Sequence, residues 1–301
     1  MINAYGAGCN NVASKRLAFS NKITNFPPVT QAYFVIGLCL LLQYALNTMA
    51  YYELLPDIAG KSLNGATKNL TYLIPGMLAV AFVVFFEGRA GLARIIRPYL
   101  TIPLNPVWWI IAGAGLIPLL FISLYLDDLI YLEPFQWYAL SLPSWEEFCR
   151  YAPGFVRVAI SDELFWIGFV YPRLLHAGYS SLKASLVIGL LWGLDYLPFL
   201  FTEFLLSPGM SASNLIFGWL AIAPFYIWLY HKTKSACLIV FFNVCMQSVF
   251  NALPVLPAAS GDNSEMDMAN LVCLSAGLLI WYLWPNGKSY DLDFLNRAKA
   301  N

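Results

Sequence analysis

Apolar residues in this chain gather into long runs, and polar residues fall in the short segments between them. A bilayer-spanning helix needs about 20 mostly apolar residues, with a usual range of about 17–25. Eight runs meet that length: Ala32–Tyr51, Leu70–Phe86, Val107–Leu126, Gly154–Tyr171, Ala184–Phe201, Ala212–Tyr230, Ala236–Ala252 and Met268–Trp284. The first three are the most apolar, whereas the fourth carries Arg157, Asp162 and Glu163. Backbone polar groups in lipid must be satisfied within the segment, so runs of this length predict helices. No alternating ten-residue pattern of the kind that builds a membrane barrel is present. The expected fold is an all-α polytopic membrane protein of eight transmembrane helices.

Composition agrees with this pattern. Of 301 residues, 59% are apolar and 11% charged, against about 45–50% and 25% in an ordinary soluble domain. These proportions exclude a basic nucleic-acid binder, an acidic disordered tail and a collagen-like chain. The formal net charge is zero, but the charges are not evenly placed. With the N-terminus inside, thirteen basic residues, among them Arg89, Arg94, Arg97, Arg173, Lys183, Lys232 and Lys234, share one face with only Glu87, Asp291 and Asp293. The other face holds Lys61, Lys68 and Arg150 against eleven acids, including Asp127, Asp128, Glu265 and Asp267. Lys and Arg favour short cytoplasmic loops, so both ends are expected inside. The predicted organisation is a polar cytoplasmic tail over residues 1–31, a membrane domain over 32–284 and a cytoplasmic tail over 285–301. Multi-pass insertion in a prokaryotic plasma membrane is the expected location, with membrane lipids as obligatory partners.

Two connecting segments carry patterns of their own. Leu92, Ile95, Ile96, Tyr99 and Leu100 recur at helical spacing beside Arg89, Arg94 and Arg97, which predicts a basic amphipathic helix on the inner leaflet. On the outer side, Ser144 to Pro153 is expected to dip into the interface through Trp145, Phe148 and Tyr151. The polar N-terminus lacks the layout of a cleavable signal. Six scattered cysteines and two histidines, without CxxC or Cys/His spacing, point to neither a disulfide framework nor a metal site, and no cofactor is implied. The sequon Asn69-Leu70-Thr71 abuts a span and reads as incidental.

Polar residues inside the spans are the sharper signal. A charge at mid-bilayer costs about 2.5–3.5 kcal/mol on insertion scales, so such residues face a bundle interior or a cavity. Glu163 lies ten residues before Arg173, or about 15 Å in from the inner face. Tyr196 lies thirteen residues after Lys183, or about 20 Å. Asn243 and Gln247 follow Lys234 by nine and thirteen residues, or about 14–20 Å. Three separate spans thus place polar groups in one slab of the membrane. Taken singly, Asn243 and Gln247 read as interhelical hydrogen bonders, and Asp195 as a partner of Arg157 or a residue near the outer interface. The adjacent carboxylates Asp162 and Glu163 resist that reading, because neighbouring helical residues diverge by about 100° and do not easily share one partner.

These residues also carry a resemblance. Asp162-Glu163-Leu164-Phe165-Trp166-Ile167-Gly168-Phe169-Val170-Tyr171-Pro172-Arg173-Leu174 resembles the first motif of the CPBP family, the CAAX prenyl proteases and bacteriocin-processing intramembrane endopeptidases. That motif is EExxxR followed by G-F and P-R-L. Trp192-Gly193-Leu194-Asp195-Tyr196-Leu197-Pro198 is similar to the second motif, an aromatic and then His followed by Leu-Pro. Asn243 and Gln247 stand where its third motif, HxxxN, falls. With the Gly88-Arg89-Ala90-Gly91-Leu92 loop and the entry to the third span, the resemblance covers about residues 88–252. It implies a CPBP-like helix bundle and an intramembrane endopeptidase acting on or binding prenylated or bacteriocin-like peptides.

Family roles transfer position by position. The first glutamate and the second-motif histidine activate water in the family, and the third-motif His and Asn hold the oxyanion. By resemblance, the catalytic positions are Asp162, Glu163, Tyr196, Asn243 and Gln247, with Ile167 in place of the motif arginine. Asp162 is one methylene shorter than glutamate. Tyr196 is a poor base, with a reference pKa of about 10. Amide donors at Asn243 and Gln247 remain chemically able to hold an oxyanion, which is worth about 2.7–4 kcal/mol per well-placed donor. Three readings follow: a divergent peptidase, a non-catalytic scaffold, immunity or chaperone factor that binds a lipidated or membrane-inserted peptide, and a small transporter with a midplane acidic site.

Overall fold

The structure is a computed structural model, and it describes residues 26–54, 57–58, 61–62, 67, 70–132, 145–201, 209–261 and 263–284. Helices cover every one of the eight apolar runs. They are α1 (Pro28–Tyr51), α2 (Ile74–Ile96), α3 (Pro106–Ala114) with α4 (Leu116–Tyr131), α5 (Trp145–Glu163), α6 (Tyr171–His176), α7 (Ser181–Tyr196), α8 (Ala212–Thr233), α9 (Ala236–Ala252), α10 (Pro257–Ser260) and α11 (Ser264–Leu283). A two-residue antiparallel ladder, Asp57–Ile58 with Lys61–Ser62, lies between α1 and α2.

Six of these segments are long and apolar enough to cross a membrane: Pro28–Tyr51, Ile74–Leu100, Pro106–Tyr131, Ser181–Leu200, Ala212–Thr233 and Ser264–Leu283. Helix α9 is apolar but shorter, and α5 carries the charges noted above. The protein is an integral, multi-pass membrane helix bundle. Its outer surface bears the mark of a lipid solvent. Leu41, Val84, Phe85, Ile110, Ile122, Leu271 and Leu279 are exposed along α1, α2, α3, α4 and α11, an apolar exterior that water would penalise.

Helix α8 forms the centre. Every residue from Ala221 to His231 is buried, and α8 packs chiefly on α7 and α11, with α9 also against it. The α7–α8 contact is close because Gly189 and Gly193 leave one face of α7 without side chains. A Cβ on Gly189 would lie 2.8 Å from the Leu220 Cα, and one on Gly193 2.6 Å from the Ile216 Cα. In lipid, where no water drives helices together, such small-residue pairs four apart permit tight packing. Helix α2 approaches α5 in the same manner: Gly76 abuts Ser161, whose Oγ accepts the Gly76 N–H at 3.0 Å.

Three residues that the charge pattern assigns to one face, Glu87, Arg94 and Arg173, meet one another. The Glu87 carboxylate accepts from Arg94 Nη2 at 2.6 Å and also from Arg173 Nη2. At the other face, Ser264 Oγ donates to Asp127 and Asn214 Nδ2 donates to Asp267 at 2.8 Å.

The basic segment after the second run is helical, and Gly88 (φ 66°, ψ −150°) sets it off from the rest of α2. Only glycine takes that backbone without strain. Its apolar stripe divides, in contrast to the expected lipid-facing helix. Ile96 and Leu100 are exposed, but Ile95 is buried and Tyr99 donates to the Ile160 carbonyl at 3.2 Å. The stripe is therefore partly a bundle contact. The expected outer dip of Trp145, Phe148 and Tyr151 rests on side chains outside those described, as do most of both terminal tails and Asn69.

Candidate functional site

The acidic pair ends α5. Beyond it, Leu164–Val170 forms a π-helical segment that leads into Tyr171-Pro172 and α6. Proline cannot donate a backbone hydrogen bond one turn back, and wide turns of this kind recur at functional sites. The Phe169 carbonyl in this segment accepts from Arg173 Nη1 at 3.0 Å, and the guanidinium lies 3.7 Å above the Phe169 ring. Burial pushes the Arg173 guanidinium down to about 10, and the Glu87 carboxylate works against that shift. The ion pair so formed clamps the π segment to α2 at the basic end of the bundle.

The two carboxyl groups diverge. Asp162 is 1% exposed and accepts from the Tyr196 hydroxyl at 2.7 Å, which ties α5 to the end of α7. Trp192, one turn earlier on α7, also borders Asp162. Glu163 is fully buried and turns instead toward α8 and α9, where the Tyr226 and Asn243 side chains border it. The Tyr226 hydroxyl and the Asn243 amide are the donors turned toward the Glu163 carboxylate, in a looser geometry than the Tyr196–Asp162 bond. Aromatic rings wall the site. Trp192 stacks on Trp219 at 4.2 Å and on Trp166 at 5.7 Å, and meets Tyr226 edge-on at 5.3 Å; Tyr196 packs on Trp219 and Phe199.

Of the residues expected in the site, Asp162, Glu163, Tyr196 and Asn243 come together. Gln247 does not join them. It is half-buried one turn farther along α9, and its backbone carbonyl accepts from Asn251. Ile167 is buried within the apolar core. Asp195 also departs from expectation. Arg157 is exposed, whereas Asp195 is buried and accepts from Gln43 Nε2 at 2.9 Å and from Cys39 Sγ at 3.6 Å, both on α1. Its partner is therefore an amide of the first span rather than an arginine of its neighbour. A polar stripe over two turns, Cys39, Gln43 and Asn47, was visible in the sequence, and its first two residues make this contact. Tyr226, in an otherwise apolar run, gave no such sign.

Three buried carboxyl groups thus occupy the bundle interior, and among the described residues no Lys, Arg or His is found with the groups acting on them. Chemically, Glu163 offers two acceptor oxygens, Tyr226 and Asn243 offer donors, and the Asp162–Tyr196 pair is mutually satisfied.

Residues 144–252 match the family model described as type II CAAX prenyl endopeptidase Rce1-like. The match spans α5 to α9 and so includes all four converging residues; the Gly88 loop and the third span lie outside it. No curated protein matches the chain.

Proposed function

We propose that this membrane protein, Rce1-like over residues 144–252, binds membrane-associated peptides of the prenylated or bacteriocin-like kind without hydrolysing them efficiently. It crosses the membrane eight times with both ends cytoplasmic, and a prokaryotic plasma membrane is its place. The observation carrying the reading is the 2.7 Å hydrogen bond from Tyr196 to Asp162. The carboxylate that stands for the family's water-activating glutamate is occupied by a phenol, and that phenol stands for the histidine. A tyrosine with a reference pKa of about 10 takes a proton poorly at neutral pH, and general base catalysis works best with a pKa near the working pH. Peptide binding asks less of the site, since buried acceptors and donors recognise an amide without activating water.

A second reading is favoured by one observation. Glu163 is held less tightly than Asp162, by Tyr226 and Asn243 in loose geometry, and the Asn243 amide N–H beside it is suited to an oxyanion. A residual peptidase would use Glu163, not Asp162, as base.

Binding of a fluorescent prenylated peptide to the purified protein in nanodiscs tests the first reading. Saturable binding that is weakened by Glu163→Ala and by Asn243→Ala supports it. Partition into empty nanodiscs to the same extent would end it.

A further inference from the structure

The segment between α2 and α3 joins the basic end of the bundle to the acidic pair. After the Gly88 bend, Arg89, Ala93, Ile96, Arg97 and Leu100 are exposed, at i, i+4, i+7, i+8 and i+11, the recurrence of one helical face. The loop that follows is fixed by its backbone. Its Thr101 carbonyl accepts from Ser235 Oγ, its Pro103 carbonyl accepts from Trp109 Nε1 at 2.9 Å, and Asn105 caps the Val107 N–H at 3.0 Å. Held this way, Ile102 and Leu104 are 61% and 95% exposed, and the first lipid-facing residues of α3, Val107 and Ile110, follow them.

Hydrocarbon and cation on one surface fit the boundary of a bilayer, where acyl chains meet headgroups. The two arginines supply the selectivity. Glu87, the acid nearest along the chain, is taken up by Arg94 and Arg173, and among the described residues no carboxylate pairs with Arg89 or Arg97. A guanidinium presents paired N–H donors that match the oxygens of a phosphate. From the same turn, the Tyr99 hydroxyl reaches inward and donates to the Ile160 carbonyl at 3.2 Å, two residues before Asp162. Ile95 packs on the π segment, 3.5 Å from where a Cβ on Gly168 would stand. We propose that Arg89 and Arg97 hold an anionic phospholipid of the surrounding bilayer, and that this lipid steadies the end of α5 through Tyr99 and Ile95. Headgroup charge then regulates the setting of the acidic pair, whether or not a peptide docks there.

The test uses the full chain, delipidated in a neutral detergent and titrated with phosphatidylglycerol or with phosphatidylcholine of equal acyl chains. Native mass spectrometry counts the bound lipid. Phosphatidylglycerol is expected to bind more tightly. The double change Arg89→Gln and Arg97→Gln should weaken it by about thirtyfold, since each basic residue at an anionic surface contributes about fivefold. Phosphatidylcholine, whose choline cancels the phosphate charge, should change far less. Lys183→Gln controls for general basicity, because Lys183 is exposed on the same face by the charge pattern and its ammonium lies 4.6 Å over the Tyr179 ring. It should keep the preference. Equal affinity for the two lipids, or an equal loss in Lys183→Gln, overturns the site. So does an equal response to glycerol 3-phosphate, which carries the anion without the acyl chains.

Coupling has its own readout. Amide hydrogen exchange across residues 160–170 should slow when phosphatidylglycerol binds the parent. Tyr99→Phe should bind the lipid as tightly with less of that slowing. Bound lipid that leaves exchange there unchanged in the parent overturns the regulation. Both arginines are exposed, so their replacement leaves the bundle folded for the comparison.

Discussion

Replacing Gly193 by alanine tests the close α7–α8 contact on which the site depends. The new Cβ would lie 2.6 Å from the Ile216 Cα and 3.1 Å from the Ile216 carbonyl oxygen. Carbon atoms in contact sit about 3.5–4.0 Å apart, so the two backbones must separate by about 1 Å. Overpacking of that kind costs about 1–3 kcal/mol. Alanine also favours a helix over glycine by about 1 kcal/mol, which opposes the loss. Gly154→Ala in α5 supplies the reference, because a Cβ there meets no heavy atom within 4 Å and only the propensity gain remains. Gly193→Ala should therefore be about 1–3 kcal/mol less stable than Gly154→Ala. Thermal melting and SDS titration of both variants in one detergent measure the difference. The same separation would shift Trp192 relative to Tyr226, with a change in tryptophan emission as a second readout. Equal stability of the two variants would refute the close contact.

Other expectations follow from the same geometry. Tyr196→Phe removes the donor to Asp162 and should destabilise the fold by about 1–2 kcal/mol, between the roughly 0.6 average for intramembrane hydrogen bonds and the 1.5–3 for bonds to charged groups; a null effect in melting would mean that the pair is not formed. Gln43→Leu leaves Asp195 without its amide partner and should cost about 1–3 kcal/mol, whereas Arg157→Ala should fall within about 0.5 kcal/mol of the parent; the reverse order would restore arginine as the partner. Glu87→Gln strips the counter-charge from buried Arg173 and should cost about 2–3 kcal/mol, less than the 3–5 of a fully buried pair because Glu87 keeps contact with solvent. The triple change Ile167→Arg, Tyr196→His and Asn243→His should raise peptide cleavage from a trace, since it returns imidazoles to the converging positions 196 and 243 and a cation to position 167. A folded triple variant with no gain would show that the reacting geometry is lost as well as the groups.

The spans were legible in the sequence because a membrane helix declares itself by length and apolarity alone. Depth was legible too, since rise per residue converts sequence distance from a loop into ångströms, and Asp162, Glu163, Tyr196 and Asn243 do meet. Partnership across helices was not. Asp162 and Glu163 looked interchangeable as a base, yet helix rotation sends one to Tyr196 on α7 and the other to Tyr226 on α8. The π segment changes helical phase after Glu163, so regular spacing no longer says which side chains face inward there. Asp195 shows the same limit: its nearest polar neighbour along the chain was no guide, because tight packing brings Gln43 in from a helix about 150 residues away. Gln247 shares the Asn243 face of α9 but lies one turn farther along it, where its backbone carbonyl accepts from Asn251.

Peptide binding without efficient hydrolysis is tested most directly by product formation from a prenylated peptide by the purified protein in nanodiscs, with protein in excess and mass spectrometry as the readout. Bound, intact peptide is expected after many hours, in the parent and in Asp162→Ala alike. Prompt cleavage by the parent that vanishes in Asp162→Ala would contradict it, because the carboxylate held by Tyr196 would then be the working base.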